Sequence, residues 1–330
     1  MEKRPLFFLA MFVVIASLFL PGFAQAWHHP PCLPGRTIDP IVTTDWLAEN
    51  AGTENLVILD IRSDVDYGAD HIPGSINEPF VFPVSAWITM RDGLFLEVPD
   101  KEALFGTIGD LGITRKSLVV IVTAPNPDPE IEPPFYGLAN ATRVALTLIY
   151  AGVKNVAVLD GGYPKWLEDG LPTTIDVPTV TPVPYDGKVN KDIFVSMQYV
   201  KKSIQKADIL DARDADVYFG VTIEPFADKA GHIPSAKCLP APWIWKLEDG
   251  NYIYKDDETL GEMAFGVIRE PWGWKGHFRQ EIIVYCGVGG YASSWWFVLT
   301  QVLGYENVKL YDGSAQEWAL YYDMVPYQWD

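Results

Sequence analysis

One thiol in this chain stands where chemistry is possible. The run Ile282-Ile-Val-Tyr285 is short, apolar and β-branched, and reads as a buried strand. Cys286 follows it, then the turn Gly287-Val288-Gly289-Gly290-Tyr291, then a helical pattern from near Ala292 through Trp295, Trp296, Val298 and Leu299. Glycines let consecutive backbone N–H groups converge on one point as an anion-binding nest. The helix N-terminus adds positive partial charge beside the sulfur. Both effects favour thiolate, so Cys286 is expected to titrate below the roughly 8.5 of a free cysteine and to act as a nucleophile. A cysteine in mid-strand would be inert packing; one at a strand–loop–helix junction is a candidate catalytic residue, with Gly287, Val288, Gly289, Gly290 and Tyr291 as the substrate-binding loop.

The elements that position this loop occur twice. Leu56-Val-Ile-Leu-Asp60-Ile-Arg62 recurs as Asp208-Ile-Leu-Asp211-Ala-Arg213, and His71-Ile-Pro-Gly-Ser75 as His232-Ile-Pro-Ser-Ala236. Val119–Thr123 recurs as Ile282–Tyr285, and Val158-Leu-Asp-Gly-Gly162 with Trp166 as Leu310-Tyr-Asp-Gly-Ser314 with Trp318. Two copies of one domain explain the common order. In each copy short apolar runs alternate with helical patterns, such as Ala139 to Ala151 with Gly152 as its stop. That alternation implies an α/β fold, a mainly parallel sheet with helices on both faces. The first copy spans about 37–176, a Pro-rich extended linker 177–193, and the second copy 194–330. Aligning the copies sets Ala124 opposite Cys286, so only the second copy carries the thiol. The first has a longer, acidic, Pro-rich loop there, containing Asp128, Glu130 and Glu132.

Composition narrows the function classes. Of 330 residues 48% are hydrophobic and 21% charged, the balance of a chain with packed cores, long enough for two ordinary domains. Forty-three acidic against 25 basic side chains give a net charge of −18, which opposes nucleic-acid binding. Three cysteines are too few for a disulfide framework or a zinc cluster, and no metal is expected. Lys3 and Arg4, the apolar run Leu6–Leu20, Pro21 and Ala24-Gln25-Ala26 form the three regions of a secretory signal peptide, residues 1–26. The expected product is exported, periplasmic or extracellular, with no membrane span once the signal is removed.

The paired Asp-x-Arg and His-Ile-Pro motifs, the two Asp-Gly signatures Asp160-Gly161 and Asp312-Gly313, and Cys286-Gly-Val-Gly-Gly-Tyr291 together resemble the tandem-domain rhodanese family, the sulfurtransferases acting on thiosulfate or 3-mercaptopyruvate. The resemblance runs from about Ile41 to Trp318, and the insertion Gly220-Val-Thr-Ile-Glu-Pro-Phe-Ala227 looks like that family's second domain. It implies two tandem rhodanese-like domains, the first without a cysteine. It also implies a relay in which Cys286 takes sulfane sulfur from a small donor as a persulfide and passes it to a thiol or cyanide-like acceptor. No cofactor is implied, and no protein partner is specified. The chain departs from the pattern at Val288, where thiosulfate-type members have a cation and mercaptopyruvate-type members a hydroxyl. It departs again at Val217, where tandem members have an arginine. An anionic donor thereby loses two contacts worth about 1–3 kcal/mol each.

Other residues carry weaker expectations. Asp211 and Arg213 read as an ion pair supporting the active loop, and Asp60 with Arg62 as its structural counterpart. His71 and His232 read as hydrogen-bonding struts, with His71 able to reach the interdomain cleft. Tryptophans concentrated in the second copy could wall an apolar site around Cys286. Cys238, opposite Asn77 in the repeat, is either a small buried filler or a second thiol near enough to trap the persulfide as a disulfide. The latter needs Cα atoms within about 4.4–6.8 Å. A non-catalytic accessory protein binding an oxyanion or partner is the alternative reading. A phosphatase is disfavoured because Tyr291-Ala292-Ser293 supplies no arginine.

Overall fold

The computed structural model describes residues 35–126, 133–268 and 280–326. The signal segment, Cys32 with its neighbouring histidines, the acidic Asp128–Glu132 stretch, and Trp272 and Trp274 lie outside the described residues.

The strands in chain order are β1 (Ile41–Val42), β2 (Leu56–Asp60), β3 (Ile76–Asn77), β4 (Thr89–Arg91), β5 (Leu94–Glu97), β6 (Leu118–Val122) and β7 (Asn155–Leu159). The second copy supplies β8 (Phe194–Val195), β9 (Asp208–Asp211), β10 (Lys237–Cys238), β11 (Trp245–Glu248), β12 (Asn251–Tyr254), β13 (Ile282–Tyr285) and β14 (Val308–Tyr311). Helices are α1 (Thr44–Asn50), α2 (Asp64–Ala69), α3 (Lys101–Asp110), α4 (Phe135–Ala151), α5 (Gly162–Glu168), α6 (Met197–Ser203), α7 (Ala215–Tyr218), α8 (Asp257–Phe265), α9 (Gly290–Phe297) and α10 (Ser314–Tyr321).

Each copy folds around a five-stranded sheet whose neighbours all pair in parallel, ordered β1-β7-β6-β2-β3 in the first and β10-β9-β13-β14-β8 in the second. β7 is buried throughout and β6 nearly so, which is why their sequences are continuously apolar rather than alternating. Side-chain caps start several helices: Thr43 Oγ1 accepts from the Trp46 N–H at 3.1 Å, and the Asp256 carboxylate accepts from the Thr259 N–H at 2.8 Å. Gly152, at φ +103, closes α4 in the left-handed conformation expected of a stop glycine. The linker is extended and pinned to the first domain, with the Val183 N–H donating to Gly109 O at 2.9 Å and Tyr185 Oη to Ala151 O at 3.0 Å.

The two domains share one hydrophobic core through α4 and α9. α4 is apolar around most of its circumference because it is covered on one side by its own sheet and on the other by α9. Where the helices cross, the Thr142 hydroxyl meets those of Ser293 at 3.0 Å and Ser294 at 2.9 Å. Small hydroxyl residues allow that close approach and satisfy one another in a dry interface.

Each domain also extends a hairpin onto the other. The β4–β5 arm reaches the second domain, where the Val98 N–H donates to Asp312 Oδ2 at 2.8 Å and the backbone of Phe95 exchanges two 2.9 Å bonds with the Gln316 amide. The β11–β12 arm reaches the first domain, where the Tyr254 N–H donates to Asp160 Oδ1 at 2.8 Å. The repeated Asp-Gly signature therefore has a structural meaning in both copies. Each aspartate receives the other domain's arm.

Candidate active site

Cys286 directly follows β13, at the floor of a cavity of about 640 Å³ between the domains. The first domain contributes Phe80, Val81, Phe82, Leu96, Tyr136 and Asn140, the second Val217, Ile223, Phe226 and the loop Cys286–Val288 with Gly290 and Tyr291. Cys286 thus faces the first domain across the cleft. The Gly289 N–H donates to Cys286 Sγ at 3.1 Å, and the N–H groups of Val288 and Ala292 also favour the thiolate.

Those donors do not win. Burial raises the Cys286 thiol, and the Glu224 carboxylate raises it further, so the group sits above the ordinary value for a cysteine. The expectation of a depressed pKa is corrected for this physical reason: three dipoles offset only part of the desolvation of a wholly enclosed sulfur. Glu224 was not singled out in the sequence. It comes from the insertion Gly220–Ala227, which folds back onto the loop until a Cβ added at Gly287 would lie 2.5 Å from Glu224 Oε2. Gly287 thus leaves the space that the Glu224 carboxylate occupies, and its backbone dihedral is not one that favours glycine.

Asp211 and Arg213 form the supporting pair expected of them, at 2.6 Å and almost wholly buried. Arg213 also donates to Gly231 O at 2.7 Å and to Glu224 Oε1 at 2.9 Å, so it fixes the insertion as well as the strand end. Tyr285 Oη donates to Asp211 Oδ2 at 2.6 Å and accepts from the Ile233 N–H. In the first copy Arg62 and Asp60 make the same pair at 2.7 Å, beside Ala124 and hence without a nucleophile.

His71 does not line the cavity. Its Nδ1 bonds Tyr67 O at 2.8 Å, its ring stacks on Tyr67 at 3.8 Å, and its backbone pairs with Thr174. His232 repeats the arrangement on Tyr218. Both are struts, and the reach of His71 into the cleft is corrected. No described tryptophan lines the cavity either; Trp295 and Trp296 are core residues bonded to Pro240 O and Val308 O. Cys238 pairs in register with Asp211, and Asp211 with Tyr285, so a whole strand separates Cys238 from the strand of Cys286. Two strand spacings amount to about 9–10 Å, beyond disulfide reach. Burial pushes Cys238 up to about 12, and both thiols are free. The resolving-thiol idea fails on sheet order.

Behind the loop lies a group that sequence reasoning missed. Arg143, fully buried in α4, donates Nη1 to Asp312 Oδ1 at 2.6 Å and Nη2 to Leu96 O. A lone arginine in an otherwise uncharged helix was the available signal. A Cβ added at Gly289 (φ +96) would sit 3.2 Å from Arg143 Nη1 and 3.3 Å from Asp312 Oδ1, so the pair is the back wall of the nest. Gly289→Ala is expected to cost about 1–2 kcal/mol for the left-handed backbone. It should also turn the N–H away from sulfur, lowering sulfur-transfer rate about tenfold or more. Thermal unfolding and single-turnover rate check the two parts.

Glu97 adjoins this pair, and burial together with Asp312 pushes its carboxyl up to about 8 against the attraction of Arg143 and Arg91. A raised folded-state value means stability that is complete below the ordinary value of 4.5 and lost as pH rises through about 8. Wild-type thermal midpoint should therefore fall between about pH 5 and 9, and Glu97→Gln should flatten that fall. Parallel pH profiles for the two proteins would disprove it.

The fold and the loop define a class, and comparison with known proteins agrees. The chain belongs to the rhodanese family: residues 43–125 and 196–321 match the rhodanese-like domain. It is 30% identical to a sulfur carrier protein of Thermus thermophilus, TtuD, over 84% of this chain and 93% of that one. It is 27% identical to thiosulfate/3-mercaptopyruvate sulfurtransferase 2 of Arabidopsis thaliana over 87% and 86% of the two chains. Among solved structures, SseA from Escherichia coli, described as a 3-mercaptopyruvate sulfotransferase, aligns with a TM-score of 0.67 at 25% identity, covering 84% of this chain and 99% of that one.

Proposed function

We propose that this rhodanese-family sulfurtransferase works through a Cys286 persulfide, moving sulfane sulfur from a small donor to a thiophilic acceptor. One observation carries the assignment of the residue: Cys286 is the thiol at the floor of the interdomain cavity, with a backbone N–H on its sulfur. The thiolate attacks the outer sulfur of the donor, an S–S bond forms, and the donor's own bond to that sulfur breaks. With thiosulfate the leaving group is sulfite and the product is Cys286–S–S⁻. Cyanide then attacks the terminal sulfur, thiocyanate leaves, and the thiolate is regenerated. No net oxidation occurs in either step. The N–H groups of the loop hold the anion, and Asp211, Arg213 and Glu224 hold the loop.

Relatives carry names that specify thiosulfate or 3-mercaptopyruvate, and for this chain both are candidate donors. Steady-state thiocyanate formation from cyanide with each donor tests the proposal. Turnover with either supports it, and none at saturating concentrations of both refutes it. We further propose that residues 1–26 are a cleaved export signal and that the protein works in a periplasmic or extracellular space. The mass of the mature protein from the export fraction, beginning at Trp27, tests this. No helix among the described residues is long and apolar enough to cross a membrane.

A further inference from the structure

The cavity around Cys286 has the wrong charge for an anionic ligand. Its lining contains three carboxylates, Asp214, Asp216 and Glu224, against one cation among the described residues, Arg213. That guanidinium is spent on Asp211, Glu224 and Gly231 O, so no cation is left to meet a sulfonate or carboxylate entering the cavity. Burial raises Asp214 and Glu224 above the ordinary carboxylate range, with the neighbouring acid Asp216 adding to the effect on Asp214. Arg213 partly offsets Glu224, whereas no ion pair among the described residues reaches Asp214 or Asp216.

The rest of the lining suits the opposite sign. Phe80, Phe82, Phe226, Tyr136 and Tyr291 present aromatic surface to the cavity, with Tyr136 and Tyr291 packed edge to face at 5.2 Å. Aromatic faces attract desolvated cations, and most strongly where water is excluded. A second observation points to a ligand. Tyr291 is 7% exposed, and its hydroxyl is buried without a hydrogen-bond partner. An unsatisfied buried hydroxyl costs about 1–3 kcal/mol unless something enters to pair with it.

We propose that the cavity selects, among molecules exchanging sulfur with Cys286, those carrying an organic cation, such as a protonated or quaternary amine, held against the aromatic wall near Asp214 and Asp216, so that anionic donors such as thiosulfate and 3-mercaptopyruvate react only at high concentration. The proposal rests on the reading of this cavity as the sulfur-transfer site, and it names the substrate class that the cavity selects. Val217 and Val288 then belong to a coherent design. An apolar lining that leaves Asp214 and Asp216 unopposed discriminates by charge without a dedicated anchor.

Paired thiol reagents of opposite charge test this without requiring turnover. The trimethylammonium-ethyl and sulfonato-ethyl methanethiosulfonates both transfer an S–R group to a thiolate and release methanesulfinate. Their second-order rates at Cys286 would be followed by intact mass and peptide mapping, with Cys286→Ser defining background at the other thiols. The rates are normalised to those with 2-mercaptoethanol. The expected normalised ratio, cation over anion, is about 10 or more. It should drop at least about threefold in Asp214→Asn/Asp216→Asn, and likewise in wild-type protein at high salt. A ratio at or below one, or a high ratio that neither the double variant nor salt changes, overturns the proposal. Equal labelling by both reagents alongside normal thiocyanate formation would remove the cation and leave the sulfur relay standing. Strong cation preference without any sulfur transfer would do the reverse.

Discussion

Cys286→Ser is expected to lower sulfur-transfer turnover by on the order of a thousandfold or more, because it removes the atom on which the covalent intermediate forms. The substitution keeps the volume and the enclosed position of the side chain, which is 2% exposed. A hydroxyl can also accept from the Gly289 N–H that now meets sulfur. Folding stability should consequently change by no more than about 1 kcal/mol. Chemistry lost with the fold intact is the signature that separates a nucleophile from a packing cysteine. The raised thiol value bears on the same experiment, since wild-type rate should keep climbing with pH past the range of a free cysteine. Burial and Glu224 leave only a small thiolate fraction near neutrality.

Asp312→Asn is expected to cost about 3–5 kcal/mol of stability, because it leaves the fully buried Arg143 guanidinium without its counter-charge. The damage reaches further than one ion pair. Asp312 also receives the Val98 N–H, so the β4–β5 arm loses an anchor on the second domain. Leu96, which closes the cavity beside Gly290, belongs to that arm. Urea unfolding measures the loss. After burial, Asp312 is the largest cause keeping Glu97 neutral, so the variant makes Glu97 easier to ionise beside Arg143. The fall of stability with rising pH should therefore be shallower in Asp312→Asn than in wild type, and Asp312→Asn/Glu97→Gln should lose that fall.

The fold and the candidate nucleophile were legible for a common reason: both are written in local pattern. Strands such as Leu118–Val122 and Asn155–Leu159 are continuously apolar because they are buried on both faces, and short apolar runs announce that directly. Duplication made each weak motif count twice, and Cys286 stood out because its counterpart is Ala124. What sequence reasoning missed depends on tertiary neighbours. The sign of the Cys286 shift turns first on how completely the fold encloses the sulfur, and then on Glu224, brought against Gly287 by an insertion whose path no periodicity encodes. The distance from Cys238 turns on strand order, since β10 joins the sheet outside β9 rather than beside β13. His71 was misplaced for a related reason. Its motif fixes a pairing with Thr174 within its own domain, and nothing in the motif says which way the cleft lies.

The measurement that tests the central claim most directly is the intact mass of the purified protein after incubation with thiosulfate or 3-mercaptopyruvate and removal of excess donor. The account predicts a gain of one sulfur atom on wild-type protein, located at Cys286 by peptide mapping, discharged by cyanide and absent from Cys286→Ser. A protein that gains no sulfur from either donor at saturation, or a Cys286→Ser variant that gains it as readily as wild type, would contradict the account.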